Sequence, residues 1–343
     1  MKKTPQSANP FGLSTPSVFA VSSPLQVLCA AAVIRQLEIK DYKIVVCYQK
    51  GDPRNEQLWA ILDCFEMYNR TLMQLNRINV IFYRFRSKLH LRNRYKRLFI
   101  GDFRGYYDFI LGSSFVSDGA DIVYLDDGNV TLSLLNNVFT EPMPQIWKTF
   151  LNHVASRRNF VLNKNLLTLY GDVHNPKYNI LPLHLEYVTY NYKKSDAQLK
   201  GVYIVGTNID RYCDPLGISK EMFINKLDDL MSCLRTEYRN ETITYIPHGC
   251  DRSEYARELC QRFGYEFRRP KMMVEMELLD NKCQPLAIYG FTSSALFNLK
   301  KMFPHTRVVN VLYHSEDNQF FEEYRMISNY YSQNGIQLVE QEL

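Results

Sequence analysis

The stretch Asp121-Ile122-Val123-Tyr124-Leu125-Asp126-Asp127-Gly128-Asn129 decides the reading of the fold. Four apolar residues, two of them β-branched, run into two adjacent carboxylates and a glycine. A strand buried in a parallel sheet has this pattern where it emerges at the carboxyl edge. Open α/β sheets keep their ligands outside that edge, so paired carboxylates there predict chemistry. Glycine after them permits a positive φ or a close backbone approach. The competing reading is an acidic turn, since Asp-Asp-Gly is ordinary turn chemistry. The rest of the chain decides between the two.

Upstream, strands and helices alternate. Residues 18–21 predict a short buried strand, Ser22-Ser23-Pro24-Leu25-Gln26 a turn, and 27–37 a helix with proline near its first turn. A second strand is predicted over 43–47, a helix over 55–68, and further strands over 78–85 and 107–112. Such alternation argues for a parallel α/β architecture. Between the last two strands, Arg84, Arg86, Lys88, Arg92, Arg94, Lys96 and Arg97 interleave with Phe85, Leu89, Leu91, Tyr95 and Leu98. This segment reads as an amphipathic helix with a solvated basic face, or as a patch for an anionic glycan or membrane leaflet. Nucleic acid is not expected, because no recognised binding motif accompanies the charge.

Downstream, the polar stretch 191–200 predicts a linker, after which the pattern restarts. Strands are predicted over 201–205, 242–246, 285–289 and 307–313, the last closing the second sheet, with helices over 220–238, 254–263 and 294–302. The chain therefore predicts two α/β halves with a ligand cleft between them. At 343 residues and 46% hydrophobic content it can bury one large core or two ordinary ones. A net charge of +5 suits anionic ligands or surfaces without requiring nucleic acid. The eight cysteines are dispersed, without metal spacing, and predict reduced thiols in a cytosolic protein. Residues 1–16 read as a flexible leader; the apolar run after it is broken by Ser22-Ser23-Pro24 and Gln26, which argues against a signal peptide. No window reaches the ~18 apolar residues of a spanning helix.

Three strand ends carry candidate chemistry. The first is Asp126-Asp127-Gly128. The second is His248-Gly249 after the strand 242–246. The third is Gly290-Phe291-Thr292-Ser293-Ser294, hydroxyls at a helix N-terminus. Free N–H groups and the helix dipole attract an anion there, and a phosphate fits; Thr292 or Ser293 capping the helix is the alternative. A histidine at a strand end is often only a structural hydrogen-bonding residue, and the other histidines have no metal-like spacing with His248. Together the three make a general base, a general acid and an anion clamp, a set suited to glycosyl transfer from a nucleotide-activated sugar.

In order and context these motifs resemble the bacterial sialyltransferases of the GT-B type, including lipooligosaccharide sialyltransferases and capsule polysialyltransferases. The match rests on Asp126-Asp127-Gly128, His248-Gly249 and Ser293-Ser294, with Ser23-Pro24-Leu25-Gln26 after the first strand. It spans roughly residues 17–315. One position departs: Gly249 stands where the family pattern has proline, and glycine loosens the loop that aims the imidazole.

The resemblance implies two Rossmann-like domains facing a central cleft. Residues 17–195 would form the acceptor-side domain carrying the base, and 196–343 the nucleotide-sugar domain, its last helix packing back on the first. It implies an inverting, metal-independent transfer of sialic acid from CMP-sialic acid, without a cofactor, to a hydroxyl of galactose or sialic acid. The acceptor would be an oligosaccharide or lipooligosaccharide. Asp126 is the first choice for the base and Asp127 the second; strand alternation points them opposite ways. His248 would assist departure of the phosphate, which Ser293 and Ser294 would hold. Glu275 resembles a ribose-contacting carboxylate, with Glu277 its rival, and Thr207 and Asn208 are further donor contacts. The expected location is cytoplasmic, with the segment 84–97 as the means of any peripheral contact with the inner membrane. The alternatives are a related enzyme with another nucleotide-sugar donor and a non-catalytic glycan or surface-assembly protein.

Overall fold

In the computed structural model the described residues are 15–75, 94–101, 106–137, 161–189, 199–280, 284–315 and 321–342. They fall into two compact units. The first takes the described residues of Met1–Asp127 and Thr140–Val188, the second those of Gly128–Phe139 and Thr189–Leu343. The change of unit thus falls between Asp127 and Gly128.

The first unit is built on strands β1 (Ser17–Val21), β2 (Tyr42–Tyr48), β3 (Arg70–Gln74), β4 (Tyr95–Ile100), β5 (Val116–Leu125), β6 (Val161–Thr168) and β7 (Asn179–Pro182). Their spatial order is β3-β2-β1-β4-β5-β6-β7 and every pairing is parallel. Helices α1 (Pro24–Gln36), α2 (Asn55–Cys64) and α3 (Tyr106–Ser113) supply crossovers. Helix α1 starts earlier than periodicity suggests, because the Ser23 hydroxyl accepts from the Gln26 N–H and Pro24 occupies the first turn. It is buried on almost every side from Val27 to Val33, which is why its composition is apolar all round.

The second unit contains α4 (Asn129–Leu135), β8 (Val202–Val205), α5 (Ile209–Leu216), α6 (Lys220–Glu237), β9 (Ile243–Ile246), α7 (Tyr255–Phe263), β10 (Glu266–Phe267), α8 (Val274–Asp280), β11 (Ala287–Gly290), α9 (Ser294–Met302), β12 (Arg307–His314), α10 (Phe321–Gln333) and β13 (Gln337–Glu342). The sheet runs β10-β9-β8-β11-β12-β13, all parallel. Counted from β8 this is the Rossmann order 3-2-1-4-5-6. The two Rossmann-like domains expected from the sequence are both present. Helix α10 packs on β12, β13 and α4 of its own unit.

Several local expectations are corrected. Residues 107–112 form the helix α3, not a strand. A short apolar run does not distinguish the two states; here β4 and β5 are parallel neighbours, so a crossover must join them. Residues 95–98, expected within a basic helix, begin the central strand β4. Arg97 is buried there, level with Asp121 of β5 and 4.0 Å from its carboxylate. Burial pushes the Arg97 guanidinium down, and Asp121 partly offsets this. The helix expected over 55–68 ends at Cys64, and β3 follows it. Strand β12 does not close the second sheet, since β13 pairs outside it. The expected strand 78–85, the basic positions 84–93, residues 1–14 of the leader and residues 191–198 of the linker lie outside the described residues. Among the described residues no helix is long and apolar enough to cross a membrane.

Gly112 illustrates the packing tolerance. A Cβ built on it would lie 3.0 Å from the Ala20 Cβ and 2.6 Å from Leu98 Cδ1. Glycine to alanine within a helix ordinarily gains about 1 kcal/mol. Overpacking costs about 1–3 kcal/mol and outweighs it here. Gly112→Ala is therefore expected to lower the urea midpoint at unchanged m-value; a raised midpoint contradicts this packing.

Candidate active site

In the second unit, strand register brings the segments that carry the candidate residues to one sheet edge. Val205 is level with Ile246 on one side and with Gly290 on the other. Thr207, His248 and Thr292 each follow two residues beyond these level positions, past the ends of β8, β9 and β11. This is the carboxyl edge of the sheet, and the β8–β11 step is where the strand order reverses. Close approach there needs glycine: a Cβ on Gly290 would meet the Val205 carbonyl at 3.1 Å, and one on Gly206 the Tyr245 ring at 2.8 Å.

His248 is half-buried and its ring is oriented. Its Nδ1 accepts from the Cys250 N–H at 3.1 Å, so the neutral imidazole carries its proton on Nε2. Its carbonyl accepts from the Asp251 N–H at 2.9 Å, closing a turn around Gly249. These two bonds do the stiffening that a proline would otherwise do. Asp251 is buried and holds the next residues, accepting from the Ser253 N–H and hydroxyl at 2.9 and 2.6 Å.

At the third strand end, Ser293 is the N-cap of α9, its hydroxyl accepting from the Ala295 N–H at 3.3 Å. Ser294 opens the helix, and both serines are half-buried. Thr292 has φ +41°, a left-handed conformation that a β-branched residue rarely adopts. Its N–H donates to Asn310 Oδ1 at 2.6 Å and its carbonyl accepts from Asn129 Nδ2 at 2.8 Å. Its hydroxyl is buried without a hydrogen-bond partner among the described residues.

Thr207 and Asn208 follow β8 and are half-buried. Asn208 caps α5, accepting from the Arg211 N–H at 3.1 Å. It also borders a cavity of about 440 Å³ that Lys220, Asp251, Arg252, Ser253 and Tyr255 help to line. Glu275 is only 3% exposed, and its Oε1 accepts from Asn298 Nδ2 at 2.8 Å. It ties α8 to α9 and presents almost no surface to a ribose, contrary to the role expected for it; Glu277 is half-buried. Burial pushes the Glu275 carboxyl up, opposed by the Asn298 amide and its own N–H.

In the first unit, the two aspartates have different environments. Asp126 is fully buried, and its Oδ2 accepts from the Thr168 hydroxyl at 2.6 Å and the Leu169 N–H at 2.7 Å. It pins the β5 and β6 ends together. Asp127 points the other way and is partly exposed; its Oδ1 accepts from Gln26 Nε2 at 2.9 Å. The Gln26 amide cannot flip without loss, because Oε1 accepts from the Ser22 N–H at 2.7 Å. Gly101 makes room for it: a Cβ there would lie 2.6 Å from Gln26 Cδ. Of the two candidates for the base, Asp127 is the one with exposed surface, while Asp126 is buried and engaged by two donors.

Sequence reasoning named neither Asn310 nor Tyr331, and assigned no role to Gln26 or Asn129. A trace existed for two of them: Asn310 interrupts the apolar run Val308-Val309-Asn310-Val311-Leu312, and Gln26 opens an apolar helix.

No protein-family model and no curated protein sequence matches the chain. Solved structures do. An α/β-galactoside α-2,3-sialyltransferase from the luminous marine bacterium Photobacterium phosphoreum superposes with a TM-score of 0.54, at 13% identity, over 95% of this chain and 98% of that one. The GT-B domain of a sialyltransferase from Photobacterium damselae gives 0.51, at 12% identity, over 95% and 100%. The fold is GT-B. A UDP-N-acetylglucosamine 2-epimerase also matches, with a TM-score of 0.50 at 9% identity over 93% and 87%. Likeness at these identities establishes the fold and leaves the chemistry to the residues.

The raised Glu275 carboxyl has a pH signature. From its ordinary value of 4.5 upward, the folded chain keeps a proton that the unfolded chain gives up. Stability contributed here therefore falls as pH rises through that window and levels off above the folded value. Glu275→Gln keeps an oxygen for Asn298 and removes the titration. The melting temperature of the variant relative to wild type is expected to climb between pH 4.5 and 7; a flat difference contradicts it.

Proposed function

We propose that this GT-B protein is an inverting sialyltransferase that moves sialic acid from CMP-sialic acid to a sugar hydroxyl of a cell-surface glycan. The observation that carries the reading is that Thr207, His248 and Thr292–Ser294 all follow strand ends at the carboxyl edge of the second Rossmann sheet. An imidazole bearing its proton on Nε2 lies along one edge with the N-terminus of α9, which is suited to an anion. That pairing fits departure of a nucleoside monophosphate: the helix N-terminus, with Ser293 and Ser294, receives the phosphate, and His248 Nε2–H donates to the oxygen that leaves.

Asp127 is the base in this reading. Donation from Gln26 engages Oδ1, which orients Oδ2 to take the acceptor hydroxyl proton as that oxygen attacks the anomeric carbon. The bond from that carbon to the phosphate oxygen breaks, and CMP leaves. Gly249 gives the His248 turn its room, while Thr207 and Asn208 border the donor. A single phosphate needs less charge neutralisation than a diphosphate, so the reaction is proposed to need neither metal nor cofactor. The basic positions of the segment 84–97, without the buried Arg97, are proposed as the contact for an anionic glycan or the cytoplasmic face of the inner membrane.

Incubation with CMP-sialic acid and a panel of galactosides, read by CMP release, tests the proposal. Asp127→Asn and His248→Ala are each expected to lower turnover by about 10²–10⁴, the usual contribution of a positioned acid or base. Asp126→Ala is expected to act first on stability, costing about 1–3 kcal/mol for each buried donor left unpaired. Turnover unchanged in both the Asp127 and His248 variants refutes the mechanism. Thermal stabilisation by UDP and not by CMP points instead to another nucleotide-sugar reaction.

A further inference from the structure

Asp127 and Asn129 stand two residues apart, yet they belong to different units. Gly128 between them has φ 69° and ψ −139°, a conformation open to glycine and closed to other residues. The motif Asp126-Asp127-Gly128-Asn129 therefore does more than end a strand. Its fourth residue is the first of α4 and enters the second unit, where its side chain is engaged at both ends.

Asn129 Nδ2 donates to the Thr292 carbonyl at 2.8 Å, and Asn129 Oδ1 accepts from the Tyr331 hydroxyl. The amide orientation is fixed by these two unlike partners. Tyr331 is fully buried, its ring stacked on Phe297 of α9 with centroids 5.8 Å apart. The opposite side of Thr292 is held by Asn310, whose Nδ2 donates to Ser328 Oγ at 2.8 Å. Ser328 and Tyr331 both lie on α10. Two asparagines anchored on one helix thus grip the N–H and C=O of a single residue, and that residue is β-branched at a positive φ. Such a conformation persists only where its surroundings over-determine it.

We infer that Asn129 is a positioning residue for the anion-binding turn Thr292–Ser294, holding Thr292 in the strained conformation that presents the start of α9 to the donor phosphate. This rests on the proposed function and extends it: the strand-end motif that supplies the base also supplies a support for the leaving group's seat. Asn129 itself does not touch the reacting atoms.

The role has a signature that a purely structural asparagine would lack. Glycine adopts positive φ without strain, so Thr292→Gly removes the need for the grip. Calorimetric titration of CMP into the full chain is the experiment, with cytidine and inorganic phosphate as parallel probes. Asn129→Ala is expected to weaken CMP about tenfold, the lower end of what a strained residue stores, while cytidine changes by less than about twofold. In the Thr292→Gly background the same substitution is expected to cost less than about threefold. Tyr331→Phe, which removes one hydroxyl, provides a milder variant should Asn129→Ala fold poorly; it is expected to weaken CMP by about two- to threefold. An equal Asn129→Ala factor in both backgrounds, or no change in either, overturns the inference and leaves the proposed function standing. Failure of the wild-type chain to bind CMP or phosphate overturns both.

Discussion

Parallel pairing is the constraint on which everything else depends. Each pairing of neighbouring strands in both sheets is parallel, so the chain must return by a crossover before the next strand begins. All strands of a sheet then emerge at one edge, and residues far apart in sequence are delivered there together. Thr207, His248 and Thr292 reach the same edge because the strand ends before them, Val205, Ile246 and Gly290, are level. The apolar runs that make the strands are hidden, and polar side chains are displaced to the ends, where solvent and ligands are.

The edge is then refined by hydrogen bonds that orient, more than by charge. His248 is aimed by a backbone N–H of its own turn, which supplies the rigidity that Gly249 withholds. Asp127 is oriented by an amide that is itself oriented by Ser22. Thr292 is held from both sides by asparagines. In each case the group proposed to meet substrate is held by a neutral partner, and two of the buried carboxylates, Asp126 and Glu275, serve to join elements. Neutral donors fix geometry without the desolvation that a buried ion pair would entail.

Much of this was legible in the residues. Four strands of the second half, β8, β9, β11 and β12, announce themselves as apolar runs, the first three bounded by glycine or proline, and each lies where the pattern puts it. The stretch 107–112 was misread because an apolar run of that length suits a strand or a helix equally, and only its place between parallel neighbours decides. Residues 95–98 were misread because the charges around Tyr95 and Leu98 suggested a solvated helix, whereas Arg97 is buried against Asp121. The edge strand β13 is too polar to stand out, since one side of an edge strand needs no partner.

The sequence alone determined the architecture, the two restarts of the strand–helix pattern and the three strand ends where chemistry gathers, because periodicity and turn residues are local properties. Only the tertiary structure decided which carboxylate of Asp126 and Asp127 is presented, that Glu275 is a tie between helices, and that Asn129 and Asn310 grip Thr292. Those are properties of contact between residues dozens to hundreds of positions apart. A side chain's burial and its partners are set by which strands become neighbours, and no local pattern carries that information.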